Sequence, residues 1–213
     1  MNDREIRAEL LRVTRQAYFQ DRMFAATSGN LSIYDRETGR MYITPSTYPY
    51  ERMTEADMMV IDLEGGVLEG VHRPSSEWAL HAQLYKGFED CCAVVHTHSP
   101  YATAFAINNM EIPVVLYEMV TFIGGSIPCA PRAIPHSPQV GGNVIKTLRE
   151  KPRTGCLMGN HGAVAFGKTL AQAYTRATYI EDAAKAYSIA LTHGPVVTID
   201  RDEVEAVLKE GIL

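Results

Sequence analysis

"AVVHTHSP", residues 93–100, joins an apolar run to two histidines, His96 and His98, spaced two apart. The run CCAVVHTH has the length and apolar character of a buried strand. Residues i and i+2 of a strand point to the same face. His96 and His98 therefore present two ring nitrogens to one point at the strand's end. Ser99-Pro100 then opens a helix, SPYATAFAIN, with proline in its first turn, where a missing N–H is tolerated.

Elements follow on both sides of this strand. SSEWALHAQLYKGF before it reads as a helix, and GCLMGNHGAVAFG after it reads as two short strands bent around Gly159-Asn160-His161-Gly162. Thr169 to Leu191 is a long Ala-rich helix whose start, T-L-A-Q, has the form of a capping box. Near the N-terminus, residues 3–20 place Ile6, Leu10, Val13 and Ala17 on one helical face. TSGNLSIYD leads into a strand with Leu31 and Ile33 on one side. DRETG is a hairpin-like turn, MYIT a second strand, and MMVID with LEGG a strand and turn. Several strands lie too close in sequence for helical crossovers. The expected fold is thus α/β, with many antiparallel pairs covered by helices. No repeat or linker interrupts the chain, so residues 1–213 read as one domain.

Composition narrows the partners. The 213 residues carry a net charge of −5 with no basic block, which argues against nucleic acid or an anionic membrane. No apolar run approaches the ~20 residues that span a bilayer. The charged, amphipathic start MNDREIRAELLRV is unlike a secretory signal. Cys91, Cys92, Cys129 and Cys156 form no CxxC, and their apolar surroundings suit reduced thiols in the cytoplasm.

His161, in the glycine bend, supplies a third imidazole. Three neutral histidines leave a zinc-type ion an open position. Glu77, at the start of a helix, is a candidate fourth group. HxH pairs and glycine-flanked histidines also occur as structural features, and it is their combination that favours a metal. His81, one turn after Glu77, reads either as a group orienting Glu77 or as a core histidine. His72, His136 and His193 fall in polar or Pro/Gly-rich stretches and read as surface residues. Three further segments offer anion contacts: SGN with Gly29 and Asn30, ITPST with Thr44 and Ser46, and PSSE with Ser75 and Ser76 at a helix N-terminus. Each alone also fits turn or capping chemistry. Neither a Walker-type loop nor GxGxxG is present, so a nucleotide is not indicated.

In order, TSGNLS, ITPS, PSSEW, HTHSPYATAFA, IPVVLYEM, GGSIPCAP and GNHGAVAFGKTLAQAY resemble the class II aldolase/adducin-head family, over roughly residues 5–190. The resemblance implies a three-layer α/β/α domain with a mixed, largely antiparallel central sheet. It implies a homotetramer with active sites between subunits and a bound Zn²⁺, for which Mn²⁺ or Co²⁺ could substitute. Its ligands would be His96, His98 and His161, with Glu77 a ligand when no substrate is bound and the catalytic acid/base otherwise. A sugar phosphate would rest its phosphate on Gly29, Asn30, Thr44, Ser46, Ser75 and Ser76. Tyr117 would enter a neighbouring subunit's site as a proton donor. The implied reaction is cleavage of a ketose 1-phosphate, such as fuculose 1-phosphate, to dihydroxyacetone phosphate and an aldehyde through an enediolate. Family branches that epimerise pentulose 5-phosphates typically carry Asp where this chain has Glu77. A methylthioribulose-1-phosphate dehydratase branch shares the histidines, whereas the structural adducin head is expected to lack them. Thr47 stands where the family often has glycine, and the tail RDEVEAVLKEGIL lacks a tyrosine found near the C-terminus of some members.

Overall fold

The computed structural model describes residues 1–210, so the last three residues of the tail lie outside the described residues. Helix α1 (Asp3–Arg15) starts on an Asn2–Glu5 capping box and buries Ile6, Leu10 and Val13. It runs on into a π-helical turn, Gln16–Gln20, so the helix expected over 3–20 forms with a change of pitch. Strands β1 (Asn30–Asp35) and β2 (Arg40–Ile43) make the expected hairpin. Its turn is set by Asp35, whose carboxylate accepts from Glu37 N and Thr38 Oγ1. β3 (Met59–Ile61) and β4 (Val67–Glu69) follow, then α2 (Trp78–Gly87), β5 (Ala93–Thr97) and α3 (Pro100–Ile107). The second half comprises β6 (Cys129–Ala130), α4 (Pro138–Glu150), β7 (Gly155–Met158), β8 (Gly162–Gly167), α5 (Leu170–His193) and α6 (Arg201–Glu210).

The eight strands form one sheet, ordered β4-β3-β2-β1-β5-β8-β7-β6. Every pair is antiparallel except β6–β7, which is the mixed sheet expected. Helices cover both faces. One core joins α1, α3 and α5 to Leu31, Tyr42, Val60, Ala93 and Val95. The other joins α2 and α4 to Met41, Ile43, Met59, Ile61, Val94 and Val164. β5 is central and packed on both faces, which is why its sequence is continuously apolar rather than alternating. Among the described residues no helix is long and apolar enough to cross a membrane. All four cysteines are free thiols, with Cys91 and Cys156 fully buried.

Four elements, β4, β6, α4 and α6, had no counterpart in the sequence reading. α4 (PQVGGNVIKTLRE) carries two adjacent glycines, each about 1 kcal/mol worse than alanine in a helix. Packing overrides that penalty: a Cβ on Gly141 would lie 2.5 Å from Gln83 Oε1, so glycine lets α4 sit close against α2. At α5, Thr169 accepts from Gln172 N as expected, but Gln172 Oε1 accepts from Lys168 N rather than Thr169 N. The start of α5 is therefore half a capping box.

Candidate metal centre

Three imidazoles and one carboxylate converge beside the end of β5. His96 Nε2 lies 2.9 Å from His98 Nε2 and 3.0 Å from Glu77 Oε2. The other oxygen, Glu77 Oε1, is 2.9 Å from His161 Nε2. One ligand atom from each residue falls within 4.8 Å of all the others. His96 belongs to β5 and His98 lies just past its end, so the shared-face argument survives a strand that ends one residue earlier than expected. His161 sits in the β7–β8 turn, which antiparallel pairing of β5 with β8 carries alongside, Thr97 opposite Ala163. That turn is closed by His161 N donating to Met158 O at 3.0 Å, with Asn160 at φ +55°, a conformation asparagine tolerates. Gly162 permits the approach of the two strands, because a Cβ there would stand 2.3 Å from the Thr97 carbonyl oxygen. Glu77 is the residue immediately before α2.

The electrostatics follow from this geometry. His96 is fully buried and its Nδ1 lies 2.9 Å from the Ala163 carbonyl oxygen. A carbonyl only accepts, so Nδ1 carries the proton and donates. In neutral His96 the Nε2 lone pair then points into the cluster. This is the arrangement of a metal-ligating histidine, whose second nitrogen is fixed by an outer hydrogen bond. Burial pushes His98 down to about 4, helped by the charges of His96 and His161. Burial opposes ionisation of Glu77, but His96 and His161 outweigh it and hold the carboxylate well below the usual range. His96 shows the reciprocal effect: burial lowers it, and Glu77 with the Ala163 carbonyl raises it above an ordinary imidazole. The cluster thus demands positive charge, either a proton on His96 or a bound cation. Three imidazole nitrogens and a carboxylate oxygen fit a divalent ion of the zinc type.

The candidate phosphate loops lie next to Glu77. Pro45 and Pro74 form an antiparallel bridge, flanked by Ser46 N donating to Arg73 O (2.9 Å) and Ser75 N to Thr44 O (3.0 Å). Thr44, Ser46, Ser75 and Ser76 are therefore brought together on two adjoining strand-like loops. Ser75 is buried and Ser76 exposed. The two serines precede α2 by three and two residues, with Ser75 Oγ accepting from Glu77 N at 3.3 Å. Thr44 Oγ1 accepts from Leu31 N. Gly29 has φ +95°, and a Cβ there would lie 2.3 Å from the Phe24 ring. Thr47 has φ +52°, a left-handed conformation that is costly for a β-branched residue and natural for the glycine it replaces.

The chain matches the Class II Aldolase and Adducin N-terminal domain family over residues 8–188. It belongs to that family. The chain is 35% identical over 184 residues to a 5-deoxy-D-ribulose 1-phosphate aldolase of Bacillus thuringiensis serovar kurstaki, covering 86% of this chain and 85% of the relative. It is 38% identical over 181 residues to L-ribulose-5-phosphate 4-epimerase UlaF of Salmonella paratyphi C, covering 80% and 79%. A solved L-fuculose 1-phosphate aldolase superposes with a TM-score of 0.91 at 31% identity, covering 97% of this chain and 95% of that one. The α/β/α architecture of this chain is that of its relatives.

Within the single chain, two of the residues assigned from the sequence make contacts of their own. Asn30 spends its side chain inside the protein, Nδ2 donating to Glu77 Oε2 at 2.9 Å and Oδ1 meeting His81 Nε2 at 2.5 Å. Its side chain thus touches the carboxylate of the cluster. Tyr117 is half exposed, and its hydroxyl donates to Glu203 Oε1 of α6 at 3.1 Å, not to the histidine cluster of its own chain. His72 is half-buried, packed against Tyr48 with the rings tilted at 47° and 2.7 Å from Asp57 Oδ1, so it is less open than its polar surroundings suggest. The sequence reading missed Glu181. From α5 its carboxylate accepts from Tyr101 N (3.0 Å) and Ala102 N (2.8 Å), capping α3 just after His98. A Glu-Asp pair on an Ala-rich helix gave no signal of this.

Proposed function

We propose that this enzyme reversibly cleaves a ketose 1-phosphate, of the fuculose or 5-deoxyribulose kind, to dihydroxyacetone phosphate and an aldehyde. The observation that carries the reading is the Glu77 carboxylate lodged between His96 and His161, two residues after Ser75. We read residues 1–213 as one cytoplasmic catalytic domain. A Zn²⁺ ion held by His96, His98 and His161, or Mn²⁺ or Co²⁺ in its place, would supply Lewis-acid polarisation of the ketose carbonyl and neighbouring hydroxyl. Glu77 then serves as acid/base: it returns a proton to the enediolate carbon in cleavage and removes it in condensation. Gly29, Thr44, Ser46, Ser75 and Ser76 hold the phosphate, which fixes the reacting carbon relative to Glu77 and lowers the entropic part of the barrier. Asn30 contributes through Glu77.

Aldolase and 4-epimerase relatives both lie near this chain, and the longer reach of Glu77 over aspartate favours proton transfer at carbon. The discriminating experiment incubates the protein with fuculose, ribulose, 5-deoxyribulose and methylthioribulose 1-phosphates and with ribulose 5-phosphate, and identifies products. Dihydroxyacetone phosphate is expected from at least one 1-phosphate. Only C4 epimerisation of the 5-phosphate, or only dehydration, overturns the aldolase reading.

The exposed Tyr117 fits a homotetramer in which its hydroxyl serves a neighbour's aldehyde oxygen. Glu77→Gln and Tyr117→Phe subunits, each inactive alone, should regain measurable activity when mixed and reassembled. An active monomer by light scattering, or no recovery after verified subunit exchange, removes the shared site.

A further inference from the structure

Behind Glu77 runs a line of polar side chains in the α2 face of the sheet. Asn30, Ser32, His81 and Tyr85 are each 5% exposed or less. Tyr85 OH is 2.5 Å from Ser32 Oγ, Ser32 Oγ is 2.6 Å from His81 Nδ1, and His81 Nε2 is 2.5 Å from Asn30 Oδ1. Asn30 Nδ2 then reaches Glu77 Oε2 at 2.9 Å. Five residues form this line: Asn30 and Ser32 two apart on β1, and Glu77 at the N-cap of α2 with His81 and Tyr85 following at intervals of four.

Only one assignment of protons satisfies every member. The Glu77 carboxylate can only accept, so Asn30 must turn its NH₂ toward it and its carbonyl toward His81. A carbonyl also only accepts, so His81 Nε2 carries the proton. His81 is neutral, pushed down to about 3 chiefly by burial, so its Nδ1 is a lone pair. Ser32 must then donate to Nδ1 and accept from Tyr85. Every donor in the line points the same way, toward Glu77. The opposite tautomer would bring the Asn30 carbonyl against a carboxylate oxygen, two acceptors facing each other in a dry site.

We infer that His81 is a positioning residue: through its Nε2–H it locks the Asn30 amide with NH₂ toward Glu77, and so keeps that carboxylate aimed when substrate draws it away from the histidines. The inference rests on the aldolase reading for its kinetic consequence and on geometry alone for its structural one. Among the described residues, the Asn30 bond is the one Glu77 side-chain hydrogen bond independent of the histidine cluster. It is therefore the one able to persist through the reaction.

The test has two arms. Nitrogen-15 NMR of the full chain should show His81 as the neutral Nε2–H tautomer. The Asn30 side-chain NH₂ should be sheltered in the parent and exchange with water at least about 10-fold faster in His81→Leu. In the kinetic arm, His81→Leu should lose about 10- to 100-fold in kcat with KM and metal content unchanged, the range typical of groups that orient metal-site residues. His81→Gln, which keeps a donor for Asn30, should stay within about 5-fold of the parent. An Nδ1–H tautomer in the parent overturns the inference, as does a folded His81→Leu with parental kcat or a His81→Gln no better than leucine. Should His81→Leu fail to fold, the parent's tautomer and the glutamine variant decide. A parent inactive on every ketose phosphate would refute the aldolase reading while the tautomer and exchange measurements still stand.

Discussion

Glu77→Gln lowers kcat for cleavage by about 10³- to 10⁴-fold while the fold and metal content stay close to those of the parent. General acid/base groups contribute about 10²–10⁴ to rate, and Glu77 is the one carboxylate in the cluster. Glutamine keeps the length and shape of the side chain. Its amide oxygen can take the Asn30 Nδ2–H, and its NH₂ then faces His161. It has no basic oxygen with which to take a proton from carbon. Exchange of a dihydroxyacetone phosphate proton with solvent D₂O isolates this step from the rest of turnover. Exchange should fall in parallel with kcat, and undiminished exchange would mean that another residue is the base.

His96→Ala loses at least about 10³-fold in affinity for a divalent metal, and turnover falls with it. Changes to groups that merely orient a ligand typically cost 10- to 100-fold, and removal of a ligand nitrogen should exceed that. The substitution also strands Glu77, whose carboxylate is buried and held ionised mainly by His96 and His161. Because His96 is fully buried, His98→Ala makes a cleaner companion: His98 is half-buried. Both variants should titrate weakly against a chromophoric chelator. Parental affinity in either would remove that histidine from the ligand set.

Much of this was legible in the residues around 93–100. A strand buried on both faces must read as a continuous apolar run, and β5 does. The period of two placed His96 with His98, and the glycine bend marked His161 as unusual. The sheet's antiparallel bias followed from strands too close together for crossovers. The missing pieces share one property: their reason lies in a distant partner. α4 looks like a poor helix until Gly141 is set against Gln83. Glu181 looks like a solvated acid until α3 is seen to start beside it. The line behind Glu77 left a trace, polar Asn30 and Ser32 opposite apolar Leu31 and Ile33, and a helix with Glu77, His81 and Tyr85 at intervals of four. Neither pattern means anything until β1 and α2 are known to face each other. The SGN motif pointed to Asn30 for its backbone N–H, and nothing in the motif shows which way its side-chain amide points.

The pairing of β5 with β8 has a kinetic consequence. It joins segments some seventy residues apart, His96 Nδ1 to Ala163 O among them, and such long-range closures come late and slowly. Glu77, His96 and His161 do not meet until that closure is made. A metal ion therefore cannot template the early collapse, as it does in small domains that are unfolded without one. An ion held by these residues would bind the closed sheet and add stability by mass action. Metal uptake would thus follow completion of the sheet rather than precede it.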